Sequence, residues 1–254
     1  TIDYLAFRTK LYPASGFQSA QVRELEILLG LSSKMRIPLG KTNYLDALRD
    51  HEGKETSAYR KVKKRMEDGP TLLSAVEEWI YRTPIDGSRP SDPNDESTIS
   101  EYISLFLQAH KDESQKACSY ATTKVQSPGE RQRIATRYGR ECSEAKAHLC
   151  ADDVPPENKP RRRRIRAALF FIESYRHLPL LAWPRTLIES MLAFEQAFII
   201  FRQRHARMVE RIIGTRTGSG GSAGIAYLDK TALEYRIFKD LWATRTLLVQ
   251  PNAL

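Results

Sequence analysis

The chain has 254 residues, of which 41% are hydrophobic and 28% charged, with a net charge of +9 at pH 7. That length suits one domain over residues 1–254, and no run of about 18 apolar residues is present to cross a membrane. Three cysteines (Cys118, Cys142, Cys150) are too few and too odd a set for a disulfide framework. The opening Thr1-Ile2-Asp3-Tyr4 lacks the character of a secretory leader, so a reducing, cytoplasmic setting is expected.

In chain order, the pattern is helical almost throughout. Val22, Leu25, Leu28 and Leu29 recur at helical spacing, and Gly30 follows as a stop. Residues 55–66 are charged and helix-prone, and 70–81 carry an apolar face at Leu72, Leu73, Val76, Trp79 and Ile80. Pro84, Gly87, Pro90 and Pro93 among Asp, Asn and Ser predict an irregular stretch over 83–97, with the loop proper at 85–97 and a composition compatible with disorder. Helical patterning returns over 98–150, with a break near Ser127-Pro128-Gly129. A second loop is expected at 151–160, followed by a helix over about 161–176. The last strong element runs from Arg185 to Ile213 with apolar positions at Leu187, Met191, Phe194, Phe198, Phe201, Met208, Val209 and Ile212. At 1.5 Å per residue it is roughly 40 Å long, with Pro184 suited to its first turn and Gly214 to its end. There is no strand-like alternation and no internal repeat. The predicted fold class is all-α, a bundle of long helices.

Lys159, Arg161, Arg162, Arg163, Arg164 and Arg166 supply six of the net positive charges. Such a run is usually a solvated helix start or an anion-facing patch, and that reading is preferred to a nucleic-acid site. Cys142, His148 and Cys150 match no zinc spacing and lack a fourth ligand, so a structural role is expected for them.

Three segments could carry chemistry. His205 lies on the long helix, with Phe201 four residues before it and Val209 four after, so all three share a face. A neutral imidazole with apolar flanks suits an axial haem ligand, and a hydrogen-bonded structural histidine is the alternative. The stretch Gly214 to Gly224 is rich in glycine and hydroxyls, which let backbone approach a ligand closely; it is not a phosphate-binding P-loop, and a plain linker is the alternative. Near the start, Arg8 offers a bidentate fork for a carboxylate, and Ser15 with Gly16 sits where a helix begins; an ordinary helix cap is the alternative.

Taken together, Pro13-Ala14-Ser15-Gly16-Phe17-Gln18-Ser19 with Gln21 and Arg23 resembles the signature of the tryptophan 2,3-dioxygenase family. So does Arg202-x-x-His205 followed by Val209, Arg211, Gly214 and Gly218-Ser219-Gly220-Gly221-Ser222-x-Gly224-x-x-Tyr227-Leu228. Weaker similarity runs through Met35-Arg36-Ile37-Pro38 and Val76-Glu77-Glu78-Trp79 with Arg82-Thr83-Pro84, and is least clear over 85–160. The pattern reads as closer to animal-type members than to the shorter bacterial ones.

The resemblance implies a helical, cytoplasmic haem b enzyme, usually a homotetramer, that adds dioxygen across the indole C2–C3 bond of tryptophan to give N-formylkynurenine on the kynurenine pathway. By the same resemblance His205 is the iron ligand, and Ser15, Gly16, Phe17, Arg23, Phe201, Val209 and Gly218 lie at the cofactor. Arg8, Tyr4, Phe7 and Ser219 are implied at the substrate, with Arg8 on its carboxylate and Ser219 near its ammonium. Tyr4 stands where the family has phenylalanine, Phe201 where it has tryptophan and Ser219 where it has threonine. The resemblance also implies preceding N-terminal helices with a distal histidine, for which these residues offer no match. They are expected from a missing or cleaved segment or from another chain, the alternative being a homologue that works without them, and no catalytic residue is assigned within this one. Two other outcomes are weighed: a haem monooxygenase that converts a tryptophan derivative to an oxindole, and a non-catalytic anion or nucleic-acid binder using residues 159–166. The implied partners are a tryptophan-like substrate and dioxygen, with neither nucleic acid nor membrane.

Overall fold

The computed structural model describes residue 49 and residues 52–67, 69–214, 225–226, 228–229 and 236–248. Among these, all regular structure is helical, as predicted; Arg49 with Glu55 and Ile85 with Ser88 form only isolated antiparallel bridges. The α-helices are α1 (Ser57–Glu67), α2 (Leu72–Arg82), α3 (Asp95–Thr123), α4 (Pro128–Leu149), α5 (Lys159–Ser174), α6 (Ala182–Ile213) and α7 (Lys239–Leu247). Short 3-10 turns at Pro156–Asn158 and Pro179–Leu181 lead into α5 and α6. The helix expected around Val22 to Gly30 lies outside the described residues. No described helix is long and apolar enough to cross a membrane.

Two compact units divide the chain. The first holds residues 1–76 and 190–238, the second residues 77–189 and 239–254.

In the first unit, Thr56 caps α1 by accepting the Tyr59 amide at 3.1 Å. The buried Tyr59 ring carries the Arg49 guanidinium at 4.3 Å. Thr71 does the same for α2 through the Ser74 amide. Both threonines supply an acceptor that the helix start lacks. The C-terminal part of α6 buries Met191, Leu192, Glu195, Phe198, Arg202 and Ala206. It ends at Gly214, whose φ of +63° and bond from its amide to Glu210 O at 2.8 Å make it the left-handed terminator expected there.

In the second unit, α3 and α4 form an antiparallel hairpin and α5 packs against its base. Ile99, Ile103, Phe106, Leu149, Leu169, Phe170 and Ile172 are the buried core, with the Phe106 and Phe170 rings edge-on at 4.6 Å. Where disorder was allowed by composition, Asp86 and Gly87 both take positive φ and close a tight turn, with mutual backbone bonds between Ile85 and Ser88 at 2.9 and 3.0 Å. Ser88 then donates to the buried Asp95 at 2.8 Å, so the loop ends at Asn94 and α3 starts earlier than expected. The second loop also closes early, because Pro160 fits the first turn of α5.

The arginine run is a solvated helix start only in part: Arg161 is exposed, as read from the sequence, whereas Arg164 and Arg166 turn inward and correct that reading. Arg164 and Arg166 are 2% and 3% exposed. Arg161 pairs with Glu78, Arg162 with Glu77 and Asp240, and Arg163 with Glu96. Arg164 pairs with Asp95 and also donates to the carbonyls of Tyr81, Thr83 and Ser88. Arg166 reaches Asp153, Asp240 and the His148 carbonyl. Cations at a helix start oppose its macrodipole, and these carboxylates offset that cost. The acids lie up to 85 positions away in sequence, so the run reads as unpaired until the chain folds.

Helix α7 was not predicted. Nine residues with two threonines make a weak helix former. Burial of Leu241 and Thr244, with Asp240 on Arg162 and Arg166 and Arg245 on Glu173 and Glu189, holds it in place.

Candidate functional site

The site is built on the first unit's part of α6. Helical periodicity places Phe194, Phe198, Phe201 and His205 along one stripe. Their rings follow one another at 6.5, 6.0 and 6.3 Å, nearly parallel between the first two pairs and tilted by 33° between Phe201 and His205. Val209 continues the stripe, half-buried, one turn beyond. An imidazole at the end of an aromatic row is shielded from water by its own helix.

The electrostatics follow from that shielding. Burial, and then the neighbouring Arg202 cation, pushes the His205 pKa down to about 4, so the ring is neutral at pH 7. Its Nδ1 is buried and makes no hydrogen bond. A structural histidine of this kind would ordinarily spend that nitrogen on a protein partner. A neutral imidazole with an unspent nitrogen has the chemistry of a metal ligand.

Two further residues of this stretch were not among the site residues read from sequence, Arg202 having been named there only as part of the motif. Arg202 is 6% exposed, and its guanidinium lies 5.6 Å from the Phe198 ring centroid. Glu195 is fully buried, and its Oε1 accepts the backbone amides of Ile237 and Phe238. A signal for Glu195 was present: it falls four residues after Met191 and three before Phe198, an acid on the apolar stripe. Its partners, 42 and 43 positions on, were not legible.

Of the candidate site residues, the structure places Phe201 against His205 with Val209 one turn on. Tyr4, Phe7, Arg8, Ser15, Gly16, Phe17, Arg23, Gly218 and Ser219 lie outside the described residues. The Cys142, His148 and Cys150 set belongs to the second unit. Among the described residues no cluster of three or more histidine, cysteine and carboxylate side chains is placed to hold a metal ion, and the three cysteines are free thiols. His148 packs on Phe170 at 6.2 Å, and its buried Nε2 likewise makes no hydrogen bond.

The family profile described as Tryptophan 2,3-dioxygenase matches residues 1–248. A "Tryptophan 2,3-dioxygenase" of Sorangium cellulosum is 48% identical over 98% of this chain and 60% of its own length. A "Tryptophan 2,3-dioxygenase-like protein" of Xanthomonas campestris is 46% identical over 99% of this chain and 92% of its own. "Tryptophan 2,3-dioxygenase B" of Danio rerio is 29% identical over 98% and 58%. The chain thus spans less than two thirds of the length of the Sorangium relative. The expected closeness to animal-type members does not hold against these two bacterial relatives, since a few shared motif residues rank relatives poorly beside identity along the whole chain. With a profile match across nearly its full length and relatives at 46% and 48% identity, the chain belongs to the tryptophan 2,3-dioxygenase family.

Proposed function

We propose that the chain forms the cofactor-holding part of a haem b oxygenase that acts on tryptophan or a tryptophan derivative, and that its reaction is dioxygenation of the indole C2–C3 bond to N-formylkynurenine. The single observation that carries the cofactor assignment is His205, a shielded, neutral imidazole whose buried Nδ1 makes no hydrogen bond. The residues present fit such a group: an uncharged donor, an aromatic flank at Phe201 and an aliphatic one at Val209.

His205 would hold the haem iron through its imidazole, with Phe201 and Val209 flanking it. When bound, haem supplies the metal centre at which dioxygen is activated. Arg8 would grip the substrate carboxylate through its planar fork, and Ser219 would accept from the substrate ammonium. Tyr4 and Phe7 would line the indole slot. Ser15, Gly16, Phe17, Arg23 and Gly218 would frame the cofactor, with the glycines allowing close backbone approach. Both atoms of dioxygen end in the product, so the overall conversion needs no external electrons.

The test is spectroscopic and then chemical. The purified full chain should take up haem and show a strong Soret band; after anaerobic reduction, tryptophan and air should give the formylkynurenine absorbance and a product two oxygen atoms heavier. A product with one added oxygen would replace this reading with oxindole formation, and a chain that takes up no haem would end it.

A further inference from the structure

The turn that joins α5 to α6 borders a cleft of about 470 Å³ in the second unit. Its walls carry Arg176, His177, Leu178 and Pro179 from the turn, and Arg185 and Glu189 from the first turns of α6. The backbone of the turn is held in place. The Tyr175 amide donates to Phe171 O, the Leu178 amide to Tyr175 O and the Leu181 amide to Leu178 O, at 3.1, 2.9 and 3.0 Å. Leu181, buried, anchors its far end.

Charge sets this cleft apart from the rest of the unit. Arg161, Arg162, Arg163, Arg164, Arg166 and Arg245 all meet carboxylates. Among the described residues Arg176 and Arg185 have no such partner. Glu189, the one acid in the cleft, is already engaged by Arg245. Two permanent cations therefore line one concave surface with no anion of the protein between them. Their repulsion is relieved by a doubly charged anion, whose oxygens take the paired N–H donors of a guanidinium. The cleft falls within the roughly 300–1,000 Å³ common for small-molecule sites, and Leu178 with Pro179 offers apolar contact to the uncharged part of a ligand.

We propose that this cleft binds a small phosphate monoester. Arg176 and Arg185 take the phosphoryl oxygens, His177 supplies a further donor, and Leu178 and Pro179 pack on the organic part. The fixed turn presents these groups at little ordering cost. The proposal does not rest on the haem reading above, since His205 belongs to the first unit.

The experiment is isothermal titration calorimetry of the full chain with phenyl phosphate, inorganic phosphate and benzoate at low ionic strength. It is repeated with Arg176→Gln, Arg185→Gln and, as a control, Arg133→Gln, which removes an exposed arginine of α4 outside the cleft. Phenyl phosphate should bind one to one and more tightly than the other two, because benzoate lacks the second charge and inorganic phosphate lacks the apolar body. Each cleft variant should weaken it about tenfold, the loss of one charge-assisted contact at a solvated site. Arg133→Gln should leave the affinity unchanged. All three side chains are exposed, so the variants should keep the wild-type circular dichroism and melting temperature. Absence of saturable binding overturns the proposal. So does an equal loss in Arg133→Gln, since net charge alone would then be at work, or benzoate binding as tightly as phenyl phosphate. Retention by vesicles containing phosphatidic acid, with no binding of the soluble probes, would overturn it in favour of a lipid headgroup.

Discussion

Arg166, buried in α5, meets the Asp240 carboxylate in the first turn of α7 at 3.0 Å. The same carboxylate takes Arg162 at 2.9 Å, so one acid on a short helix neutralises two arginines of the basic run. Removing one partner of a buried ion pair leaves the other charge uncompensated, which costs about 3–5 kcal/mol. Asp240→Asn is therefore expected to destabilise the second unit by about 3 kcal/mol in urea denaturation, with α7 amides losing hydrogen-exchange protection. Unchanged stability would show that Asp153 alone suffices for Arg166 and Glu77 for Arg162.

Glu195 gives a contrast between two substitutions. Glu195→Ala leaves the amides of Ile237 and Phe238 buried without an acceptor, and each orphaned donor costs about 1–3 kcal/mol. Glu195→Gln keeps a side-chain oxygen for them and should lose less than half as much. Equal losses in a denaturant series would mean that the charge, and not the acceptor, matters at this position.

Acid should weaken the second unit through His148. Burial and the nearby Arg166 push this histidine down to about 4, with Asp240 and Asp153 opposing and Arg162 adding to the effect. The unfolded chain binds a proton at the ordinary value of 6.5 while the folded chain does not, so stability present above pH 6.5 is lost as pH falls toward 4. Asp153, held down to about 2 by Arg166, adds a further loss between its ordinary 3.8 and 2. His148→Gln should flatten the melting temperature over pH 6.5 to 4 relative to the wild type. Parallel curves would refute the assignment.

Replacing the proposed iron ligand, His205→Ala, should abolish stable haem retention while leaving helical circular dichroism intact. Added imidazole should restore part of the Soret band. Stoichiometric haem with an unchanged spectrum in the variant would show that another residue binds the iron.

Arg8→Leu is expected to retain haem and to weaken binding of the amino acid. A charge-assisted hydrogen bond contributes about 1.5–3 kcal/mol, so the expected loss is roughly 10- to 150-fold in affinity. Equilibrium binding followed by the haem spectrum checks it, and an unaltered affinity would remove Arg8 from the substrate site.

What the chain alone made legible was periodic or local. Apolar spacing placed α2 and the body of α6 within a few residues, the break near Ser127-Pro128-Gly129 marked the start of α4, and Pro184 and Gly214 marked the two ends of α6, because these signals act over one helical turn. Motif order pointed to the family and singled out His205. What the fold decided was the pairing of groups far apart in sequence. The arginine run looked solvated until Glu77, Glu78, Asp95, Glu96, Asp153 and Asp240 were brought to it. Helix α7 is too short to declare itself and exists through those ion pairs and the burial of Leu241. The lowered pKa of His205 likewise comes from its burial first and the Arg202 charge second. Helical patterning is a property of a few neighbouring residues, whereas charge compensation and desolvation depend on which distant surfaces meet, and only the folded chain sets that.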